Sequence, residues 1–132
     1  MNIEFLIKEA EKSMVNALTG LSQFRVGAAI VCKNRNIYTG CNIESSTSLG
    51  ICAERVAILK ALSEGERDFE VIAIVSSSSD YCFPCGACRQ ILWEYAPDIE
   101  VVVVNKTGKH ISKGIKELFP LPFDRNNIIK NR

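Results

Sequence analysis

The chain has 132 residues, and its 16 lysines and arginines nearly balance its 15 aspartates and glutamates, for a formal net charge of +1. This length predicts a single domain, residues 1–132, built around one hydrophobic core. The basic residues are scattered, which argues against a surface for a nucleic acid polymer or an anionic membrane. We therefore expect a small, weakly charged ligand.

The cysteine content and the first 20 residues indicate in which cellular compartment the protein resides. Charged residues interrupt the apolar pattern of the first 20 residues, unlike a secretory signal, and no run approaches the ~18 apolar residues of a membrane span. Six cysteines could form disulfides in a secreted chain. Without a signal peptide, and with a Cys-x-x-Cys pair beside Arg and Gln, reduced thiols and metal binding are favoured. We therefore expect a cytoplasmic protein.

The apolar pattern predicts helices and strands in alternation. Residues 2–18 carry apolar side chains at spacings of three and four, which is typical of an amphipathic helix. Residues 26–32 and 37–41 flank a polar turn and predict a β-hairpin. The later predicted elements are a helix over about 50–63, a strand at 71–76, a helix over about 86–95, a strand at 99–104, a turn at 105–108 and a short helix at 114–118. The tail could add a last strand or helix.

This order, α-β-β-α-β-α-β, predicts an α/β protein, a three-layer α-β-α sandwich with a mixed central sheet of about five strands. The later βαβ units should supply parallel strands through right-handed crossovers. Ligands of such sheets bind beside strand ends and helix starts. Two cysteine-containing segments fall at predicted helix starts.

The cysteines of these two segments form a candidate metal site. Cys52 stands alone, whereas Cys85 and Cys88 form a Cys-x-x-Cys pair. Zinc is the divalent ion that most favours thiolate ligands, and three protein ligands leave one position open for a water whose pKa the metal lowers. Glu54, two residues after the lone cysteine, is placed to move protons. We expect one Zn²⁺ per chain.

Two features of these segments have alternative interpretations. Cys82 forms a second, overlapping Cys-x-x-Cys pair with Cys85, so a closed structural site of four cysteines is an alternative, although such a site needs no base like Glu54. Arg55 and Arg89 each directly follow a metal segment and are expected to donate hydrogen bonds to the sulfurs, which would offset the charge of three thiolates. The alternative is two solvated surface arginines.

Asn42 and Glu44 follow the second predicted strand and alternate around Ile43, so their side chains should point the same way. An amide beside a carboxylate offers donors and acceptors in one direction, which suits the vicinal hydroxyls of a sugar. A loop-capping asparagine and a solvated glutamate are the alternative. Phe24 is a candidate wall of the pocket, although an aromatic residue before a buried strand is more often part of the core.

Together these segments resemble the small, homotetrameric, three-cysteine class of cytidine deaminases, over nearly the whole chain. The zinc segments also match the general signature of zinc deaminases, a Cys or His ligand followed by x-Glu and later by Pro-Cys-x-x-Cys. The matching motifs are Phe24-Arg25-Val26-Gly27-Ala28-Ala29, Gly40-Cys41-Asn42-Ile43-Glu44, Leu49-Gly50-Ile51-Cys52-Ala53-Glu54-Arg55, Pro84-Cys85-Gly86-Ala87-Cys88-Arg89-Gln90 and Glu117-Leu118-Phe119-Pro120 with Phe123.

The resemblance implies a role for each of these residues. The implied roles are zinc ligands for Cys52, Cys85 and Cys88, proton shuttle for Glu54, ribose contacts for Asn42 and Glu44, an aromatic wall for Phe24, and charge compensation for Arg55 and Arg89. A tetramer is also implied, in which Phe123 can reach the pocket of a neighbouring subunit.

The implied reaction converts cytidine and deoxycytidine to uridine and deoxyuridine plus ammonia. Glu54 is expected to take a proton from an activated water that attacks C4 of the cytosine ring, and to pass it to N3 and then to the leaving amine. The backbone around Ala53, at a helix start, is expected to donate to O2 of the ring.

Two departures from the family pattern concern the substrate. The segment between Glu44 and Cys52 is one residue shorter than usual, and it reads Ser45-Ser46-Thr47-Ser48 where relatives commonly have a tyrosine. The second departure is Phe83, which stands where many relatives have a small polar residue. Blasticidin deaminases also have a shortened loop here, but they lack the Asn-x-Glu pair that this chain keeps. A nucleoside is therefore favoured over another aminated heterocycle such as a nucleoside antibiotic, and a structural-zinc binding module is the non-enzymatic alternative.

Overall fold

A five-stranded mixed sheet lies at the centre of the protein in the computed structural model, which describes residues 2–129. The strands are β1 (Val26–Cys32), β2 (Ile37–Cys41), β3 (Phe69–Ser76), β4 (Glu100–Val104) and β5 (His110–Gly114). Their order across the sheet is β2-β1-β3-β4-β5, and only β3 and β4 pair in parallel. This parallel pair is joined through a helix, as the sequence predicts for the later βαβ unit.

Helices cover both faces of this sheet. They are α1 (Ile3–Met14), α2 (Ala53–Ser63), α3 (Gly86–Tyr95), α4 (Ile115–Leu118) and α5 (Arg125–Ile129). Helix α1 packs through Leu6, Ile7 and Ala10 on one face, and α2 and α3 pack on the other face. Alternate residues of β1 face opposite layers, Ala29 toward α1 and Ala28 toward α2. The predicted three-layer α-β-α sandwich is therefore confirmed.

Strand β5 is the main element that the sequence analysis does not assign. Its residues, His-Ile-Ser-Lys-Gly, are mostly polar, and none of them is fully buried. The strand closes one edge of the sheet and pairs only with β4, where Val104 lies opposite His110. An edge strand has one neighbour and retains polar residues, including lysine, so its apolar alternation is too weak to predict it.

Element ends also differ from the prediction. Helix α1 ends at Met14 rather than at residue 18, because the chain turns away and Leu18 forms a parallel bridge with Ile43. The tail forms the short helix α5, one of the two predicted options, and its last residues 130–132 lie outside the described part of the chain. Across residues 2–129, no helix combines the length and the apolar character that crossing a membrane requires.

Gly27 allows α1 to approach β1 closely. A Cβ at this position would lie 2.1 Å from the carbonyl oxygen of Ala10 and 2.8 Å from Cβ of Met14. The carbonyl oxygen of Ala10 belongs to the backbone of α1, so it cannot move aside as a flexible side chain would. We therefore expect Gly27→Ala to lower the free energy of unfolding by about 3 kcal/mol. Gly20→Ala is the control, since a Cβ there meets no atom within 4 Å, and it should change stability by no more than about 0.5 kcal/mol. Urea unfolding measures the free energy of unfolding of both variants. Equal losses of stability would contradict the role of Gly27 in the close approach of α1 to β1.

Candidate active site

Two helix starts bring the three predicted metal ligands together. Helix α2 begins at Ala53 and has Cys52 as its N-cap, and helix α3 begins at Gly86 and has Cys85 as its N-cap. Neither cysteine side chain makes a capping hydrogen bond, so both sulfurs are available to other partners. Cys88 lies in the first turn of α3. The positive ends of two helix dipoles therefore flank the sulfurs and favour thiolates.

The three sulfur atoms have the spacing that zinc requires. All three Sγ atoms lie within 4.8 Å of one another, with Cys52 and Cys85 at 3.7 Å and Cys85 and Cys88 at 3.6 Å. Zn–S bonds of about 2.3 Å in a tetrahedron place neighbouring sulfurs about 3.8 Å apart. The cluster therefore fits a zinc ion held by three thiolates.

Cys82 is not part of this cluster. Among the described residues, the group that could hold a metal contains only Cys52, Cys85 and Cys88. The Cys82 thiol instead makes a long contact of 3.9 Å to the carbonyl oxygen of Asp80. This geometry disfavours the closed four-cysteine alternative and leaves one coordination position of a bound zinc free of protein ligands.

Hydrogen bonding shifts the pKa values of the Cys52 and Cys88 thiols in opposite directions. A hydrogen bond from the Cys88 thiol, together with one from Arg55, outweighs desolvation and lowers the pKa of Cys52 to about 5. The same bond to Cys52, and burial, raise the pKa of Cys88 above its ordinary value. These contacts favour the thiolate form at Cys52, and the thiolate is the form that binds metal.

The two arginines that follow the metal segments have different contacts. Arg55 donates from Nη2 to the Cys52 sulfur at 3.4 Å, as the sequence predicts. Arg89 differs from its prediction, because its Nε donates to the carbonyl oxygen of Pro84 and its Nη1 to that of Leu118, each at 2.7 Å. No hydrogen bond from Arg89 to a sulfur occurs within residues 2–129. Of the two arginines, Arg55 is therefore the one that contacts the cluster, whereas Arg89 holds the carbonyl oxygens of Pro84 and Leu118.

This difference predicts different effects of the same substitution. Arg55→Gln removes the charge beside Cys52, so zinc affinity should fall about 10–100-fold. Arg89→Gln removes two bonds to carbonyl oxygens and should lower the free energy of unfolding by about 2 kcal/mol, with a smaller change in zinc affinity. Competition with a zinc chelator and urea unfolding measure the two quantities. Similar losses of zinc affinity in both variants would contradict this division of roles.

Glu54 is a buried carboxyl group beside the cluster. It is the second residue of α2, and only 6% of it is exposed. Burial, with a contribution from the nearby Cys52 thiolate, raises the pKa of Glu54 to about 7. A carboxyl group with a pKa near neutrality can both accept and release a proton, which is what a general acid–base catalyst must do.

A small cavity of about 200 Å³ opens onto this carboxyl group. It brings together four residues of the predicted site, Phe24, Asn42, Ala53 and Glu54, with two of the predicted ligands, Cys52 and Cys85. Its lining residues are Phe24, Val26, Asn42, Cys52, Ala53, Glu54, Ile74, Cys82, Phe83 and Cys85. A second cavity of about 300 Å³ shares Asn42 and Cys52 with the first and is also lined by Glu44, Ser45, Ser48 and Arg55. We call these the inner cavity and the outer cavity.

Comparisons with known proteins agree with this geometry. Residues 1–106 match the family model described as the cytidine and deoxycytidylate deaminase zinc-binding region. A cytidine deaminase from Sporosarcina psychrophila is 38% identical over 97% of this chain and 96% of its own length. The crystal structure of cytidine deaminase from Burkholderia pseudomallei superposes with a TM-score of 0.90 at 37% identity, over 93% of this chain and 100% of that one.

The chain belongs to the cytidine and deoxycytidylate deaminase family. Within this family it also has a relative of different name, a blasticidin-S deaminase from Bacillus cereus that is 36% identical over 80% of this chain and 81% of its own length. The zinc-binding family model and the three-sulfur cluster together fit one zinc ion per chain.

Asn42 is already hydrogen-bonded to the backbone before β1. Its Oδ1 accepts from the N–H of Val26 at 2.9 Å, and its Nδ2 donates to the carbonyl oxygen of Phe24 at 2.8 Å. These bonds hold the amide at the rim shared by the two cavities. The amide keeps one N–H and one lone pair for a ligand.

Glu44, on the other side of Ile43, is also hydrogen-bonded to the backbone. Its Oε1 accepts from the N–H groups of Leu21 and Ser22, at 3.2 and 3.1 Å. The Ser22 hydroxyl and N–H hold the pKa of this carboxyl group below its usual range, so it stays ionised. Glu44 lines only the outer cavity, whereas Asn42 lines both. The spacing of the two residues does not predict these backbone bonds.

Phe123 lies away from both cavities of its own chain. Its side chain is 56% exposed, and its carbonyl oxygen accepts from Gln90 Nε2 at 2.9 Å. Conversely, Val26, Ile74 and Cys82 line the inner cavity although the sequence analysis gives them no such role. Val26 and Ile74 belong to paired strands and look like ordinary core residues in sequence, so no local signal marks them.

Proposed function

We propose that this protein is a zinc-dependent hydrolytic deaminase of cytidine and deoxycytidine, which it converts to uridine and deoxyuridine with release of ammonia. The observation that carries the proposal is the position of Glu54, buried in the inner cavity beside three sulfurs spaced for zinc. A structural zinc site requires neither a buried base nor a free coordination position. The names of the relatives, cytidine deaminase, support the substrate.

The chain's own residues account for the movement of protons. Bound zinc supplies Lewis acidity that activates a water molecule. Glu54 accepts one proton from that water and delivers it to N3, where it stays. It then takes the second proton, from the hydroxyl group formed on C4, and delivers it to the amine that leaves C4. Burial keeps the pKa of Glu54 near neutrality, so the carboxyl group can perform both steps. Water adds and ammonia leaves, which balances the reaction.

The base and the sugar are positioned by different parts of the site. The N–H of Ala53 is one of the first-turn donors of α2 that have no partner within the helix, and it can donate to O2 of the ring. Phe24 forms an apolar wall for the base in the inner cavity. Asn42 and the ionised Glu44 hold the ribose hydroxyls, since Asn42 lies where the two cavities meet and Glu44 in the outer one.

We further propose that the single domain, residues 1–132, assembles into a homotetramer. Large apolar side chains are exposed near the cavities and in the C-terminal segment: Leu21 at 68%, Leu49 at 84%, Leu121 at 93% and Phe123 at 56%. Exposed apolar side chains mark an interface between subunits where they form a contiguous patch, which we propose for these residues. Phe123, exposed on its own chain, can then reach a neighbour's cavity. Sedimentation equilibrium tests this assembly, and a monomer would exclude it.

Location and pathway follow from the proposed chemistry. Thiol ligands stay reduced in the cytoplasm, so we place the protein there. We assign its reaction to the salvage of pyrimidine nucleosides. Nucleic acid polymers and membranes are not expected partners, because the charges nearly balance. A small-molecule nucleoside is the expected ligand.

A second candidate is deamination of another aminated heterocycle, such as a blasticidin-like nucleoside antibiotic. The similarity to a blasticidin-S deaminase favours it, as does the loop at Ser45–Ser48, because Ser45 and Ser48 line the outer cavity. Against it stands the attachment of both Asn42 and Glu44 at the rim of that cavity, ready for sugar hydroxyls.

Loss of absorbance at the cytosine band tests the two candidates directly. Zinc-loaded protein is mixed with cytidine, deoxycytidine and blasticidin S, and ammonia release is measured in the same samples. We expect cytidine and deoxycytidine to have the highest kcat/KM. Faster deamination of the antibiotic would select the second candidate, and zinc binding without turnover of any of the three would favour a structural-zinc module.

A further inference from the structure

Phe83 borders the reacting end of the inner cavity. It lies two residues before the ligand Cys85 and lines the inner cavity with Glu54, but it is absent from the outer cavity that contains Glu44. Its side chain is 37% exposed, so it is not held in the hydrophobic core. With Phe24, it is one of two aromatic side chains in this small lining. Phe83 is therefore positioned against the base of a bound nucleoside rather than against the sugar.

The backbone on the C-terminal side of Phe83 is restricted by a buried proline and a hydrogen bond. Pro84 is buried and restricts the residue before it to extended conformations. The carbonyl oxygen of Pro84 accepts from Nε of Arg89 at 2.7 Å, and Arg89 also donates to Leu118. The backbone that carries Phe83 is thus restricted by Pro84, whose carbonyl oxygen Arg89 holds in place.

We propose that Phe83 is a specificity-determining residue that limits the size of substituents on the ring edge carrying the leaving amine. The inference rests on the proposed function, because it assumes that the inner cavity holds a cytosine ring. The reacting carbon must lie within reach of Glu54 and the cluster of Cys52, Cys85 and Cys88. Because Phe83 lines the inner cavity with Glu54 and lies two residues before Cys85, we place the edge that carries the amine against Phe83. In a cavity of about 200 Å³, an added methyl group at this edge meets the aromatic wall.

Substitution of Phe83 tests this limit with paired substrates. Phe83→Ser and Phe83→Leu remove different volumes, and each variant is assayed with cytidine, N4-methylcytidine and 5-methylcytidine. A single methylene in an apolar pocket is worth about 10–200-fold in discrimination. We expect wild type to prefer cytidine, and Phe83→Ser to raise the kcat/KM ratio of at least one methylated substrate to cytidine by about 10-fold or more. Phe83→Leu should give a smaller rise.

Tyr81→Ser is the matched control. Tyr81 is an aromatic residue of the same loop with similar exposure, 39%, but it does not line the inner cavity. Its substitution should leave the substrate ratio unchanged. Thermal unfolding of all variants verifies that they fold, and Phe83→Leu, which keeps an apolar side chain, preserves the test if Phe83→Ser does not fold. An unchanged ratio in a folded Phe83 variant that still deaminates cytidine overturns the proposal.

Binding of the products separates this proposal from the proposed function. If zinc-loaded wild type deaminates neither cytidine nor deoxycytidine, the proposed function fails, and calorimetry with uridine and 5-methyluridine then measures the size limit without turnover. A shift of about 10-fold in their affinity ratio on Phe83→Ser supports the role of Phe83. An unchanged ratio, or no binding of either nucleoside, overturns it.

Discussion

Glu54→Gln is expected to lower kcat by at least about 10²–10⁴-fold while the protein keeps its fold and its zinc. Glutamine has nearly the same shape as glutamate but cannot carry a proton between water and the leaving amine. Because the side chain is buried, 6% exposed, the neutral amide should be tolerated without loss of stability. Steady-state kinetics with cytidine, zinc content and thermal unfolding of the same preparation measure the three properties.

The control for this variant lies at the other end of the same helix. Glu64 is the exposed C-cap residue of α2, so Glu64→Gln makes the same chemical change far from the cluster. It should leave kcat within about twofold of wild type, since exposed substitutions of this kind are near neutral. If Glu54→Gln kept most of its turnover, a different group would have to move the proton. If it lost zinc, the effect would be on the metal site.

Cys85→Ser is expected to abolish stable zinc binding and, with it, deaminase activity. One of three thiolates is lost, and a serine hydroxyl is a far weaker zinc ligand. Cys85 is the exposed member of the cluster, so its replacement creates no cavity in the core. Wild type should gain about 3–4 kcal/mol of stability when free zinc exceeds its Kd by about 10²–10³-fold, and the variant should gain almost nothing.

Cys82→Ser is the matched control, because this cysteine precedes the same helix but lies outside the cluster. Its zinc content should stay at about one ion per chain, as measured by atomic absorption after dialysis. Loss of zinc from Cys82→Ser would instead revive the closed four-cysteine site. Unfolding with and without zinc distinguishes a ligand from a residue that only supports the fold.

Local sequence was sufficient to identify the chemistry. Cys52, Glu54, Cys85 and Cys88 sit on two helix starts, and a helix start sets the positions of neighbouring residues through local backbone geometry. The apolar runs of β1, β3 and β4 predicted buried strands for the same reason, because burial on both faces leaves an uninterrupted pattern. These signals do not depend on which distant segments come into contact.

Tertiary structure decided the partners that come from elsewhere in the chain. Arg55 and Arg89 each follow a metal segment, yet Arg55 bonds a sulfur three residues before it and Arg89 bonds the carbonyl oxygen of Leu118, 29 residues away. Asn42 and Glu44 alternate as predicted, but the backbone groups that hold them come from the segment before β1.

The polar edge strand β5 and the inner-cavity residues Val26, Ile74 and Cys82 also appear only in the folded chain. The sequence by itself predicted the candidate zinc ligands and base, because each lies at a predicted helix start, and the layered fold, because apolar patterns mark its helices and buried strands. Only the tertiary structure decided which backbone groups hold Asn42 and Glu44, where the Arg89 side chain is bound, and which side chains line the inner cavity. Those contacts join residues far apart in the chain, and local periodicity does not specify them.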